Sequence, residues 1–249
     1  MNQPTPNRYS QIVLAVFRTR WTRGAEQIFF TQDDLIAEAK KVGASVKNLP
    51  DVLYTFRDRQ PLPAEILKTG NWVIDARGPG QYALLKIEGP TKIELPSRPK
   101  VYDIPYAVPD IVAANLKHDE QGLLTMVRYN RLLDVFTGLA CFHLQSHIRT
   151  QLPNYGQLEI DDLYLGVDKS GQGYVLPIEA KDSGDPLGIH KPVGIARFAA
   201  AKYPSLRCRP IAILRTAADT FAFMEFEPSV DLRKVVQIES RSYRLVREV

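Results

Sequence analysis

Between Gln157 and Lys181 the chain reads QLEIDDLYLGVDKSGQGYVLPIEAK. Asp161 and Asp162 interrupt its first apolar run, while Glu179 and Lys181 stand two residues apart in its second. The strand period of two turns Glu179 and Lys181 to one face. Leu176, Ile178 and Ala180 imply that this strand is largely buried, and buried carboxylates repel one another unless a cation or a proton is present. A divalent metal meets that requirement. Two carboxylates can hold Mg²⁺ against a non-bridging phosphate oxygen, where it stabilises developing charge and lowers the pKa of a bound water. The lysine ammonium can orient the attacking water or help to deprotonate it, and it places positive charge where the transition state is most negative. An acid on one strand and Glu-x-Lys on its neighbour is therefore the arrangement that metal-dependent phosphodiester cleavage requires. Glu-x-Lys by itself also marks many solvated strand edges; here the flanking residues are apolar and a hairpin brings in the second acid.

The elements that must position these groups can be read on either side. Asp168-Lys169-Ser170-Gly171-Gln172-Gly173 is a turn sequence, so the stretch reads as a β-hairpin. Upstream, Asp119 to about Leu152 reads as one long or broken helix, with Leu123, Leu124, Val127, Leu132, Leu133 and Phe136 on its apolar face and Gly138 as a kink. Gln145, His147 and Arg149 in its second part either face phosphate or form polar surface, and His143 and His147 read as helix-packing or surface residues rather than metal ligands. Downstream, DSGDPLGIHKPVG is a loop and Ile195 to Tyr203 a helix stopped by Pro204. Strands follow at 210–214, 221–226, 235–238 and 243–246. Helix, hairpin, helix and strands predict an α/β (α+β) domain, a mixed central sheet flanked by helices, over residues 110–249.

The first 90 residues have a different pattern. Tyr9 to Trp21 is an amphipathic helix and Ile28-Phe29-Phe30 a short strand. Thr31 caps a second helix, with Asp34 three residues on, a stripe of Leu35, Ile36, Ala39 and Val42, and Gly43 as its stop. Lys47 to Arg59 forms a third if Pro50 lies in its first turn. A hairpin follows, Trp72–Ala76 and Gln81–Ile87 joined by Arg77-Gly78-Pro79-Gly80. That order is the order of a winged helix. In such a domain Lys47, Asn48, Tyr54, Arg57 and Arg59 meet the DNA groove and Arg77 in the wing touches the backbone or minor groove. The same pattern describes small domains that bind protein, in which these arginines are simply solvated. Five prolines between Gly89 and Pro109 mark residues 91–109 as a stiff, extended linker.

The composition of the 249 residues permits these assignments without demanding them. Lys and Arg exceed Asp and Glu by 32 to 28, a net charge of +4, which fits a polyanionic partner. Cys141 and Cys208 are far apart in apolar stretches, which points to free thiols in a reducing compartment. No apolar run reaches the ~18–20 residues of a membrane span, and the polar N-terminus lacks a signal-peptide core, so a cytoplasmic location without membrane attachment is expected.

EIDDLY at 159–164 followed by PIEAK at 177–181 resembles the PD-(D/E)xK nuclease superfamily, particularly its type II restriction-endonuclease-like members. The resemblance covers about Asp119 to Leu214. It implies Asp161 as the first metal ligand, Glu179 as the second, the Ala180 carbonyl as a further ligand and Lys181 as the catalytic lysine. Asp162 competes with Asp161. Adjacent strand residues face opposite ways unless a bulge intervenes, and Asp161 is favoured because Glu-x-Asp matches the family form. Glu159 shares its face and supports the metal. Family members often carry an acid on the preceding helix, for which Glu120 is the candidate, and a glutamine on the following one, where this chain offers His190 and Lys191. The resemblance implies a Mg²⁺-dependent endonuclease acting on double-stranded DNA, and cutting both strands implies a homodimer. Two rivals stand beside it: a winged-helix regulator whose nuclease-derived domain dimerises without cutting, and a repair nuclease for branched or nicked DNA.

Overall fold

The structure is a computed structural model describing residues 7–44, 48–95, 99–182 and 187–247. Lys47, the linker residues 96–98 and the loop residues 183–186 lie outside the described residues. The chain divides into two compact units, Met1–Lys92 with Gln151–Gln157, and Ile93–Thr150 with Leu158–Val249.

In the first unit, helix α1 (Arg8–Arg20) is capped by Asn7, whose side chain accepts from the Ser10 amide, and it buries Ile12, Val13, Val16 and Phe17. Strand β1 (Gln27–Thr31) leads into α2 (Gln32–Lys41) through a reciprocal capping box of Thr31 and Asp34. Gly43 follows α2 at φ +66°, a left-handed conformation that suits glycine. Of the expected α2 stripe, Leu35 and Ala39 are buried while Val42 is exposed. Helix α3 (Leu49–Tyr54) has Pro50 in its first turn and continues as a π-helical turn, Thr55–Arg59. After α4 (Ala64–Leu67) come β2 (Asn71–Gly78) and β3 (Gln81–Ile87), forming the antiparallel sheet β1-β3-β2. Trp72, Ile74 and Leu84 close its core against the helices.

The second unit holds the larger sheet. Strands β4 (Lys92–Ile93) and β9 (Leu187–Gly188) make a separate short pair. Strand β5 (Val101–Pro105) pairs in parallel with β13 (Gln237–Val246) at one sheet edge, so part of the segment expected to be a linker belongs to the sheet. The extended backbone that proline enforces is compatible with an edge strand. Helices α5 (Asp110–Ala113), α6 (Glu120–Tyr129) and α7 (Leu132–Thr137) follow, then β6 (Ala140–Leu152), β7 (Gly156–Val167) and β8 (Gly173–Asp182). Helix α8 (His190–Lys202) leads to β10 (Arg207–Cys208), β11 (Ile211–Ala217) and β12 (Thr220–Phe226). The order is β5-β13-β12-β11-β8-β7-β6, with β10 also pairing β8. Strands β8 and β11 are parallel, joined through α8, and the β7–β8 and β11–β12 pairs are antiparallel. The architecture is thus the expected mixed central sheet flanked by helices.

The strands expected at 235–238 and 243–246 are one strand, β13, and the expected long helix is cut short. The helix read from Asp119 to about Leu152 ends at Gly138, which is left-handed at φ 68°, and residues 140–152 are a strand. Leu144, Ile148 and Thr150 alternate with Gln145, His147 and Arg149, a period of two that an apolar count over a longer window obscures. Within the expected helix, Arg131 at φ 50° separates α6 from α7.

Leu176, Ile178 and Ala180 of β8 pack against α6 and α7 on one face of the sheet. Val175 packs against Ile195, Phe198 and Ala199 of α8 on the other. Among the described residues no helix is long and apolar enough to cross a membrane.

Candidate functional site

Glu179 lies on the α8 face of β8, by its even spacing from Val175, in the middle of the sheet between β7 and β11. It is 3% exposed. Helix α8 begins at His190, earlier than the sequence indicates, and this sets Lys191 over the strand with Nζ 2.6 Å from Glu179 Oε1. The second oxygen, Oε2, is buried and has no hydrogen-bond partner. Burial drives the Glu179 pKa up to about 8; Lys191 and Lys181 pull it down, Asp161 pushes it further up, and burial prevails.

Asp161 and Asp162 separate onto different sides. Leu158 and Ile160 belong to the α8 cluster and so do Leu163 and Leu165, so the alternation of β7 slips by one residue between Ile160 and Leu163. The regular pairing of β7 with β8 begins at Asp162↔Ile178. At the slip, the Asp161 carboxylate accepts a hydrogen bond of 2.8 Å from the Ala180 amide. Burial raises the Asp161 pKa; the Ala180 amide and Lys191 oppose this, while Glu159 and Glu120 add to it. Asp161, Glu179, Lys181 and Lys191 thus form one electrostatic cluster, with Glu120 at the start of α6 within range.

Asp162 is fully buried in a different network. It accepts from Arg128 Nη2 on α6 at 2.9 Å and from the Ser146 hydroxyl at 2.5 Å, and lies 3.0 Å from His143 Nε2. Serine and aspartate both meet the same imidazole nitrogen, since His143 Nε2 is 3.1 Å from Ser146 Oγ. That geometry differs from a nucleophilic triad, in which the acid orients one nitrogen and the hydroxyl meets the other. Asp162 is a structural counter-charge for Arg128.

The other expected residues are more dispersed. Glu159 is exposed and paired with Arg149 at 3.0 Å. Gln145 and His147 are exposed on β6, and among the described residues neither makes a hydrogen bond or ion pair to the carboxylate cluster. His190 opens α8, partly buried. In the first unit, Asn48 precedes α3 without a side-chain capping bond. The Arg57 guanidinium lies 5.9 Å from the centre of the exposed Tyr54 ring, with its Nε buried and unpartnered. Arg59 is exposed beside Asp51 at 3.9 Å. Arg77 lies on β2 rather than in the turn, and its Nε is 3.1 Å from the buried Asp75 at an angle that does not make a hydrogen bond.

Arg128 is absent from the sequence reading of the site, and Lys191 enters it only as one of two residues standing where the family carries a glutamine. For Lys191 a signal existed, because His190-Lys191-Pro192 places proline where a first helical turn tolerates it. Arg128 carried none, since its partner lies across the fold.

A hard divalent cation prefers oxygen ligands. Among the described residues no group of three or more His, Cys, Asp and Glu side chains is placed to hold a metal. Glu179 and Asp161 form a two-carboxylate set, and the orphaned Glu179 Oε2 is the kind of buried acceptor that a cation would satisfy. These two carboxylates are what the described residues offer such an ion, and its remaining ligands would have to come from backbone, water or substrate. No family model, curated protein or solved structure matches the chain.

Proposed function

We propose that the chain is a Mg²⁺-dependent endonuclease that hydrolyses phosphodiester bonds in duplex DNA at specific sites. The observation that carries the reading is the buried Glu179, with an unpartnered oxygen and Asp161 and two lysines around it. Glu179 and Asp161 would hold the cation, with the Ala180 carbonyl as a third ligand. When bound, Mg²⁺ supplies charge opposite a phosphate oxygen and acidifies a water. Lys181 orients the attacking water and offsets charge building on the phosphate. Lys191 keeps Glu179 paired while the site is metal-free and adds positive charge beside the incoming phosphodiester.

The first unit supplies the grip on DNA. Its order of helix, strand, three helices and hairpin over the sheet β1-β3-β2, with the short α4 added to the expected order, supports a winged-helix reading. Asn48, Tyr54, Arg57 and Arg59 lie on or beside α3, the segment that would face the groove. Two active sites are needed to cut both strands, so the working form is a homodimer in the cytoplasm.

A second reading is a DNA-binding regulator that does not cut, favoured by one feature: the Lys191–Glu179 pair already gives the buried acid a cation. Calorimetric titration with Mg²⁺ and Ca²⁺ separates the two. The nuclease reading requires saturable binding that Asp161→Asn abolishes without unfolding the protein, and its absence favours the regulator.

A further inference from the structure

On the α6 face of the sheet, away from Glu179, lies a cavity of about 270 Å³ whose lining includes Arg128, Arg131, Asp134, Phe142, His143 and Tyr164 over an apolar floor. We propose that this cavity is a binding site for a single nucleotide unit, its base against the aromatic wall and its phosphate on the two guanidiniums. Its size falls just below the ~300 Å³ at which drug-sized pockets begin, so a single small ligand is what it admits.

Its chemistry narrows the class. Phe142 is 59% exposed, a large apolar surface left open at the cavity. His143 meets the buried Tyr164 edge to face at 5.1 Å, which fixes the partly open imidazole as one more ring surface. Aromatic faces and arginine planes are what unstacked bases stack on. Arg128 is held by Asp162 at 2.9 Å and Arg131 by Asp134 at 2.5 Å. A guanidinium has five N–H donors, and these pairs fix each orientation while using only part of that capacity.

Two features mark the cavity as built. The Asp162, Ser146 and His143 network anchors Arg128 from a fully buried carboxylate, at the cost of desolvating that charge. Arg131 occupies a left-handed conformation at φ 50°, costly for a residue with a side chain and held by its Asp134 pair at the α6–α7 junction. The nucleotide can arrive free or as an unstacked unit of a single strand, and both present the same base and phosphate.

The test is calorimetric titration of the full chain in EDTA with deoxynucleoside 5′-monophosphates, the matching nucleosides, inorganic phosphate and single-stranded trinucleotides. Saturable binding of nucleotides is expected, with nucleosides and inorganic phosphate each weaker. Phe142→Ala and Arg131→Asn should each weaken nucleotide binding about tenfold, the cost of losing one stacking or phosphate partner. Both positions are exposed, and asparagine tolerates the left-handed backbone, so an unchanged thermal midpoint will show that the fold is intact. Tighter trinucleotide binding identifies the strand as the source, and tighter mononucleotide binding identifies the free ligand. Glu179→Gln should bind nucleotide as the wild type does, which separates this site from the candidate metal centre. No saturable binding of any nucleotide at millimolar concentration, or unchanged binding in both variants, overturns the proposal. Inorganic phosphate binding as tightly as nucleotide would also overturn it.

Discussion

Replacing Glu179 by glutamine removes a buried titratable carboxyl and leaves its shape, so the pH dependence of stability reports directly on the burial of this acid. In the folded protein its pKa is raised from 4.5 to about 8. Because the folded value lies above the unfolded one, the folded state holds the proton more tightly. That contribution is present in full below about 4.5 and is lost as pH rises through about 8. At ~1.4 kcal/mol per pH unit, the interval corresponds to roughly 5 kcal/mol, an upper bound because relaxation and water penetration screen a buried charge. Several kcal/mol is a large share of a domain's ~5–15 kcal/mol. At ~2–4 °C of melting temperature per kcal/mol for a chain of this size, that upper bound corresponds to ~10–20 °C. The assay is thermal unfolding of wild type and Glu179→Gln in EDTA at pH 5 and pH 9. The two should melt within a few degrees of each other at pH 5, with the variant clearly the more stable at pH 9. Parallel pH profiles for the two proteins would refute the placement of Glu179 in a water-poor cluster with Asp161.

The neighbouring aspartates should differ in how much stability they carry. Asp162→Asn leaves Arg128 without its buried counter-charge and should cost about 3–5 kcal/mol in urea unfolding, whereas Asp161→Asn should cost under ~1 kcal/mol, because the amide oxygen can still accept from Ala180. Gly122→Ala should destabilise by more than ~2 kcal/mol, since its Cβ would stand 1.8 Å from the Lys117 carbonyl oxygen, and a soluble variant with an unchanged midpoint would contradict this. Thr31→Ala removes one half of the α2 capping box and should lower stability by ~0.5–2 kcal/mol, read as an earlier denaturant midpoint with the slope unchanged.

What the sequence made legible follows the range of the interactions concerned. The α2 cap was readable because Thr31 and Asp34 are three residues apart and the box is local. The β7–β8 hairpin was readable for the same reason, and with it the common face of Glu179 and Lys181. Residues 140–152 were misread because Leu144 and Ile148 satisfy a helical spacing as well as an alternating one, and only the pairing of β6 with β7 decides between them. The choice between Asp161 and Asp162 depended on a one-residue slip in β7, which has no signature in residue types. Arg128 and Asp162 are 34 positions apart and meet only through the tertiary fold. Lys191 was hidden because the start of α8 read as loop, although its proline was compatible with a first helical turn. Arg77 falls in the expected turn, but β2 continues through Gly78 and the turn is only Pro79-Gly80, with Gly78 at φ 127° and Gly80 at φ 68° taking the positive-φ backbone.

The proposed chemistry at Asp161, Glu179 and Lys181 is tested most directly by incubating supercoiled plasmids of diverse sequence with the purified chain and Mg²⁺. Nicked and linear products should appear with the wild type, disappear in EDTA, and be absent with Glu179→Gln and Lys181→Met at unchanged fold. Intact plasmid across the whole set, or cleavage by Lys181→Met equal to that of the wild type, would contradict it.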